Sequence, residues 1–174
     1  MGFFDFLKKS AAPAAPAEPT FPMMLAADAK GAFVPMENIP DEVFAQGILG
    51  TCCGIDPSEG KVFAPAGGEI TQAPGSGHAL GIMADGGVEI LIHVGVDTVE
   101  MKGDGFSPKV KVGDKVKKGD LLLEMDLGKI AAAGHPAVVI TVVTNTDDFK
   151  AVEVVASGDV EPGADLIKVS KYCL

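Results

Sequence analysis

Apolar residues alternate with others along Val88-Glu89-Ile90-Leu91-Ile92-His93-Val94. Side chains of a strand point to opposite faces in turn, so Val88, Ile90, Ile92 and Val94 define a core face and Glu89, Leu91 and His93 the opposite one. Asp85-Gly86-Gly87, just ahead, is turn chemistry. It predicts a hairpin of residues 79–83 with 88–94, and His78 and His93 then stand near the ends away from the turn. An imidazole on the outer face, followed by Gly95 with no side chain to cover it, suits a group that another molecule must reach.

The rest of the pattern also reads as strands and turns. Residues 59–70 form strand, sharp turn and strand. Between 110 and 124 glycine–acid pairs recur at Gly113-Asp114 and Gly119-Asp120 and lead into Leu121-Leu122-Leu123. Such spacing marks tightly turned β structure. The lysines at 109, 111, 115, 117 and 118 alternate with core valines, which makes them a solvated strand face. Residues 137–143, 151–155 and 166–169 supply further strands. Ile39-Pro40-Asp41-Glu42 can start a single helical turn, after which Phe44 and Ile48 are one turn apart. They are either core or an apolar pad beside the histidines, and periodicity does not choose.

At its start the chain changes character. Phe3, Phe4 and Leu7 at helical spacing, with Lys8 and Lys9 beside them, make residues 1–9 a short amphipathic peptide suited to an anionic membrane surface. Residues 10–22, rich in alanine and proline, form a flexible linker. Residues 23–174 then form one folded domain, long enough for a sizeable core.

Composition agrees with an all-β domain of short strands: 22 glycines and 12 prolines in 174 residues call for many turns. The net charge of −10 argues against nucleic acid, whose phosphates require a basic surface. No apolar run is long enough to span a bilayer and no export signal is visible, so a cytoplasmic protein is expected. Cys52 and Cys53 are adjacent and Cys173 is next to last, a pattern that fits a reducing compartment and lacks metal-ligand spacing. The chemistry therefore rests on the histidines. Neutral imidazole, with a reference pKa of about 6.5, is both a nucleophile and a metal ligand near neutral pH. His135, in Gly134-His135-Pro136, reads as structural or merely exposed.

Several stretches together resemble a known family. They are Asn38-Ile39-Pro40-Asp41-Glu42-Val43-Phe44, Val62-Phe63-Ala64-Pro65 with Gly68, His78-Ala79, residues 92–106 from Ile92-His93-Val94-Gly95-Val96-Asp97-Thr98-Val99 to Phe106, and Val112-Gly113-Asp114. Over about residues 30–170 the chain is similar to the glucose-family IIA component of the bacterial phosphoenolpyruvate:sugar phosphotransferase system. The run from His93 to Val99 is its most specific part, and residues 1–22 resemble the lipid-engaging peptide and tether of freestanding members.

That resemblance implies a compact antiparallel β-sandwich with Greek-key or jelly-roll-like connections and short helical turns. It implies a phosphotransferase that takes a phosphoryl group from the phosphocarrier HPr and passes it to a cysteine in the IIB domain of a sugar permease. His93 corresponds to the phosphorylated residue, His78 to the histidine that helps hold and transfer the group, and Ser76 to the hydroxyl residue supporting it. Gly95 and Asp97 follow in the active-site loop. Phe44 and Ile48 match the docking pad, whereas Pro74 and Leu91 stand where the family carries phenylalanines. No nucleotide or metal is required, although His78 and His93 could take up zinc at a partner interface. Metabolic enzymes or transporters are further partners as regulatory targets, with weak contact of residues 1–9 at the inner face of the membrane.

Two other readings account for parts of the sequence. A LytM-like zinc metallopeptidase also uses histidines on neighbouring strands, but needs a His-x-His pair where this chain has His93-Val94-Gly95. A biotinyl or lipoyl carrier domain is suggested by Val116-Lys117-Lys118-Gly119-Asp120, but that motif's methionine-lysine-methionine is missing and both histidines go unexplained.

Overall fold

The computed structural model describes residues 19–173. The expected amphipathic peptide at 1–9 and most of the linker lie outside the described residues. Of the linker, residues 19–22 are described, and there the Phe21 ring stacks on Phe149 at 6.1 Å.

The chain is built from short strands, as the turn-rich composition requires. They are β1 (Met23–Ala26), β2 (Gly31–Val34), β3 (Thr51–Pro57), β4 (Lys61–Phe63), β5 (Gly68–Gln72), β6 (Ala79–Ala84) and β7 (Glu89–Val94) in the first half. The second half adds β8 (Phe106–Pro108), β9 (Lys115–Val116), β10 (Leu121–Met125), β11 (Val139–Val143), β12 (Ala151–Val154), β13 (Asp159–Val160) and β14 (Asp165–Ser170). Among the described residues, helix is confined to α1 (Glu42–Ala45), α2 (Leu127–Ala132) and isolated 3-10 turns. No helix among the described residues is long and apolar enough to cross a membrane.

Eight strands form one sheet in the order β13-β2-β3-β11-β7-β6-β5-β9, and two three-stranded sheets run β1-β14-β12 and β4-β10-β8. Every pairing is antiparallel. The neighbours β3-β11 and β11-β7 are far apart in sequence, so the chain leaves the large sheet and returns, as a sandwich with crossover connections requires. A single core cluster joins all three sheets through Leu25, Val62, Leu123 and Ile167 on one side and Ile55, Ile82, Ile90 and Ile92 on the other.

The expected hairpin is present, with Ala79 opposite His93 and Met83 opposite Glu89. Its faces divide as alternation predicts: Ile90, Ile92 and Val94 are buried, while Glu89 is exposed and Leu91 and His93 are half-buried. Both glycine–acid pairs work as turns, because Asp114 accepts from Lys111 N at 2.9 Å and Asp120 from Lys117 N at 2.8 Å. The lysines there are exposed, and Lys115 pairs with Glu69 at 2.8 Å.

A second, smaller cluster covers the outer face of the large sheet: Ile39, Phe44, Cys52, Val96, Val138, Ile140 and Val142. It explains why β11 is buried at every position, since Val139, Thr141 and Val143 face the main core while Ile140 and Val142 face this one. Adjacent Cys52 and Cys53 separate in the same way, one into each cluster, and Cys173 is exposed.

A carboxyl group is sealed in the main core. Asp28 is 0% exposed; its Oδ2 accepts from the Thr141 hydroxyl at 2.5 Å, and Oδ1 has no hydrogen-bond partner among the described residues. Burial pushes its carboxyl from 3.8 up to about 7 against the smaller opposing effect of that hydrogen bond. The buried Cys53 thiol is pushed up by burial first and by the Asp28 charge second. Because the folded form holds its proton more tightly than the unfolded chain, Asp28 favours folding fully below pH 3.8, and this contribution is lost as pH rises towards about 7. The expected slope is about 1.4 kcal/mol per pH unit within that window. Denaturant unfolding at pH 5 and pH 7 should show it in the wild type, and Asp28→Asn should flatten it. Equal pH dependence in the two proteins would contradict the assignment.

Candidate active site

The site is assembled at the open end of the β6–β7 hairpin, under α1. Asp41 caps α1, its Oδ1 accepting from Val43 N at 2.9 Å and Phe44 N at 3.4 Å. This cap directs Phe44 inward, where it is 6% exposed and its ring lies 5.2 Å from that of His93. The Cys52 thiol donates to the Phe44 carbonyl at 3.3 Å and ties the turn to β3. His93 therefore stands at the edge of the smaller cluster, backed by Phe44 and half open to solvent.

Beyond His93 the strand ends at Gly95, whose φ of 76° is readily reached only without a Cβ. A Cβ there would also collide with Thr98 Cγ2 and approach Pro136 O at 2.8 Å. Freed by this turn, the Gly95 carbonyl meets His93 Nδ1 at 2.7 Å. A carbonyl only accepts, so the ring proton sits on Nδ1 and the lone pair on Nε2. The main chain thus sets the tautomer of the ring and leaves Nε2 unprotonated.

His78 reaches the same place from the other strand. The register puts Ala79 across from His93, and His78 extends the ladder by one more bond, its carbonyl accepting from Val94 N at 2.7 Å. A tight turn precedes it, closed by Gly77 N to Pro74 O at 2.9 Å, with Gly77 at a φ of 67°. In that turn Ser76 Oγ lies 2.6 Å from His78 Nδ1 and fixes the ring edge-on to His93, with centroids 5.3 Å apart and planes at 78°. With each Nδ1 engaged, both rings are left with Nε2 for chemistry.

Both histidines titrate below the ordinary imidazole value. For His93 burial is the largest cause, opposed by the Gly95 carbonyl and by the carboxylates of Asp41 and Asp97. For His78 burial again leads, followed by the neighbouring His93. Two neutral imidazoles near pH 7 are the result, and a neutral ring is what nucleophilic attack needs.

Ser76, His78, His93 and Gly95 are thus brought into one site, and Asp97 borders it at a left-handed φ of 58°, opening the turn Thr98–Met101. The expected pad residues are presented unequally. Ile48 is 65% exposed and Pro74 exposed, Leu91 is half-buried against the smaller cluster, and Phe44 lies beneath the surface. Sequence reasoning missed the exposed Val43, Leu49 and Val99, and gave Asp41 no part beyond starting a helical turn. His135 is mostly covered and faces Glu100 at 3.9 Å. Among the described residues, no three His, Cys, Asp or Glu side chains converge as metal ligands would.

Comparison with known proteins bears on this arrangement. Residues 23–149 match the family model for the phosphoenolpyruvate-dependent sugar phosphotransferase system, EIIA 1. A glucose-specific EIIA component from Halalkalibacterium halodurans is 42% identical over 140 residues, covering 80% of this chain and 81% of that protein. A beta-glucoside-specific EIIBCA component from Dickeya chrysanthemi is 43% identical over 134 residues, 77% of this chain, although the chain spans only 21% of that longer protein. The solved structure of glucose permease IIA from Mycoplasma capricolum superposes with a TM-score of 0.77 at 32% identity, covering 84% of this chain and 94% of that one. None of these relatives is a zinc peptidase or a biotinyl or lipoyl carrier. The chain belongs to the EIIA 1 family of the phosphoenolpyruvate-dependent sugar phosphotransferase system.

Proposed function

We propose that this chain accepts a phosphoryl group from the phosphohistidine of HPr on Nε2 of His93 and passes it to a cysteine of a IIB domain. The observation that carries the reading is the hydrogen bond from His93 Nδ1–H to Gly95 O, which leaves the Nε2 lone pair free at an open rim beside a second imidazole. In acceptance the P–N bond to HPr breaks as the bond to Nε2 forms; in donation that bond breaks as the cysteine thiolate attacks phosphorus. Neither step consumes a nucleotide or needs a metal, and catalysis is placement plus stabilisation of the transferring oxygens.

His78 supplies that stabilisation. When the Ser76 hydroxyl donates to Nδ1, the proton of His78 resides on Nε2 and points a donor at the phosphoryl oxygens. Partners dock on the exposed apolar residues around the rim, Ile48 and Pro74 with Val43, Leu49 and Val99, while Leu91 and Phe44 support them from below. The carboxylates of Asp41 and Asp97 favour partners with a basic face. Relatives named EIIBCA and EIICBA join A, B and C parts in one name, which supports a IIB domain as the receiving partner. The same rim would serve regulatory targets, and zinc could bridge the two imidazoles to such a partner. The working place is the cytoplasm, with residues 1–9 making peripheral contact at the inner face of the membrane.

The test is reconstitution with phosphoenolpyruvate, the general phosphotransferase enzyme and HPr. The expected result is one acid-labile, base-stable phosphate per chain, discharged on adding a IIB domain. No phosphate uptake would overturn the reading.

A further inference from the structure

The turn after His93 contains one buried polar side chain that the phosphotransfer scheme leaves without a task. Thr98 is 0% exposed in a chain segment otherwise on the surface, between exposed Asp97 and Val99. Its hydroxyl donates to the Val94 carbonyl. That carbonyl belongs to the same peptide plane as the Gly95 N–H, which donates to Val138 O at 2.7 Å. The plane between Val94 and Gly95 is therefore gripped on both edges, by Thr98 on one side and by Val138, the residue just ahead of β11, on the other. On its upstream side, the Val94 N–H is bonded to the His78 carbonyl. The Thr98 methyl packs where a Gly95 side chain would stand, and the next peptide, which carries the Gly95 carbonyl, is held on its other edge by Val96 N donating to Pro136 O at 3.1 Å.

We propose that Thr98 is a positioning residue whose hydroxyl, by clamping the Val94–Gly95 peptide, aims the Gly95 carbonyl at His93 Nδ1 and so keeps the reactive lone pair on Nε2. The inference rests on the phosphotransfer reading for its consequence, but not for its structural readout. Thr98 itself touches no phosphoryl group. Without the clamp the Gly95 carbonyl turns more freely, Nδ1–H loses its fixed acceptor, and the neutral ring divides between two tautomers, one of which has no lone pair at Nε2.

Nitrogen-15 NMR of the unphosphorylated protein reads the tautomer of His93 directly. In the wild type Nδ1 should be protonated and Nε2 not. In Thr98→Val, and equally in the smaller Thr98→Ala, the signals should move towards a tautomer mixture. The pKa of His93 should fall further below its wild-type value, because an imidazolium would lose the carbonyl that stabilises it. Acceptance from phospho-HPr should slow by about 10- to 100-fold, the scale for losing a group that orients a histidine without touching the reacting atom, with KM little changed. Thr98→Ser, which keeps the hydroxyl, should restore both tautomer and rate.

A wild-type tautomer in a folded Thr98→Val or Thr98→Ala protein would overturn the proposal. So would equal losses in Thr98→Ser, which would give the effect to the methyl. Should both hydroxyl-free variants fail to fold while Thr98→Ser folds, Thr98 is a stability residue and the proposal is again overturned. If instead the wild type takes up no phosphate while the NMR shifts follow Thr98 as described, the clamp stands and the phosphotransfer reading falls.

Discussion

His93→Gln should accept no phosphate from phospho-HPr above background. Glutamine is close to histidine in length and keeps an N–H that can still donate to the Gly95 carbonyl, so the end of β7 should hold. Its amide nitrogen, however, has no localised lone pair, and its oxygen is a poor nucleophile towards phosphorus. Deleting a nucleophile outright costs on the order of a million-fold in enzymes where it has been removed, which here means no measurable labelling. Thermal unfolding of the variant should remain cooperative, because His93 is half-buried at the rim of the smaller cluster and not within the main core. Acid-labile label persisting in a folded His93→Gln protein would show that another residue is the acceptor.

The second large effect separates the two histidines. His78→Gln should still accept phosphate from phospho-HPr, since the nucleophile and the Gly95 carbonyl that sets its tautomer are untouched. Glutamine keeps a donor for the phosphoryl oxygens. What it lacks is the ability to take up positive charge or exchange a proton as the group leaves for the IIB cysteine. Donation should therefore slow by about 100-fold or more, the usual scale for losing a proton-transfer or charge-stabilising group. Both half-reactions can be measured in one preparation by rapid mixing. Failed acceptance with normal donation, or no change in either, would remove His78 from this role.

How much of this was legible in the sequence depended on whether local rules were sufficient. Alternation along 88–94 placed His93 opposite the core face, and the structure agrees because one face of β7 is sealed and the other is not. The glycine–acid pairs were readable because each aspartate accepts from a backbone N–H three residues upstream, a contact internal to the motif. Phe44 was undecided between core and pad because its direction depends on the Asp41 cap and on β3 lying beneath it. The pairing of Asp28 with Thr141 spans 113 residues and follows only from the order of strands. Thr98 is a similar case, a threonine in a turn whose side chain folds back onto the end of β7, its hydroxyl on Val94 O and its methyl against Gly95. The helix α2 was missed because Leu127-Gly128-Lys129 carries little helical pattern, and what starts it is the Asp126 side chain accepting from Lys129 N at 3.0 Å.

One nitrogen, Nε2 of His93, should carry the phosphoryl group. The most direct measurement is nitrogen-15 and phosphorus-31 NMR of the wild-type chain phosphorylated through HPr and held at alkaline pH, where phosphohistidine survives. A single phosphorus signal coupled to Nε2 of His93, with Nδ1 still protonated and bonded to Gly95, is the predicted result. Phosphorus coupled to Nδ1 of His93, or to either nitrogen of His78 or His135, would contradict it.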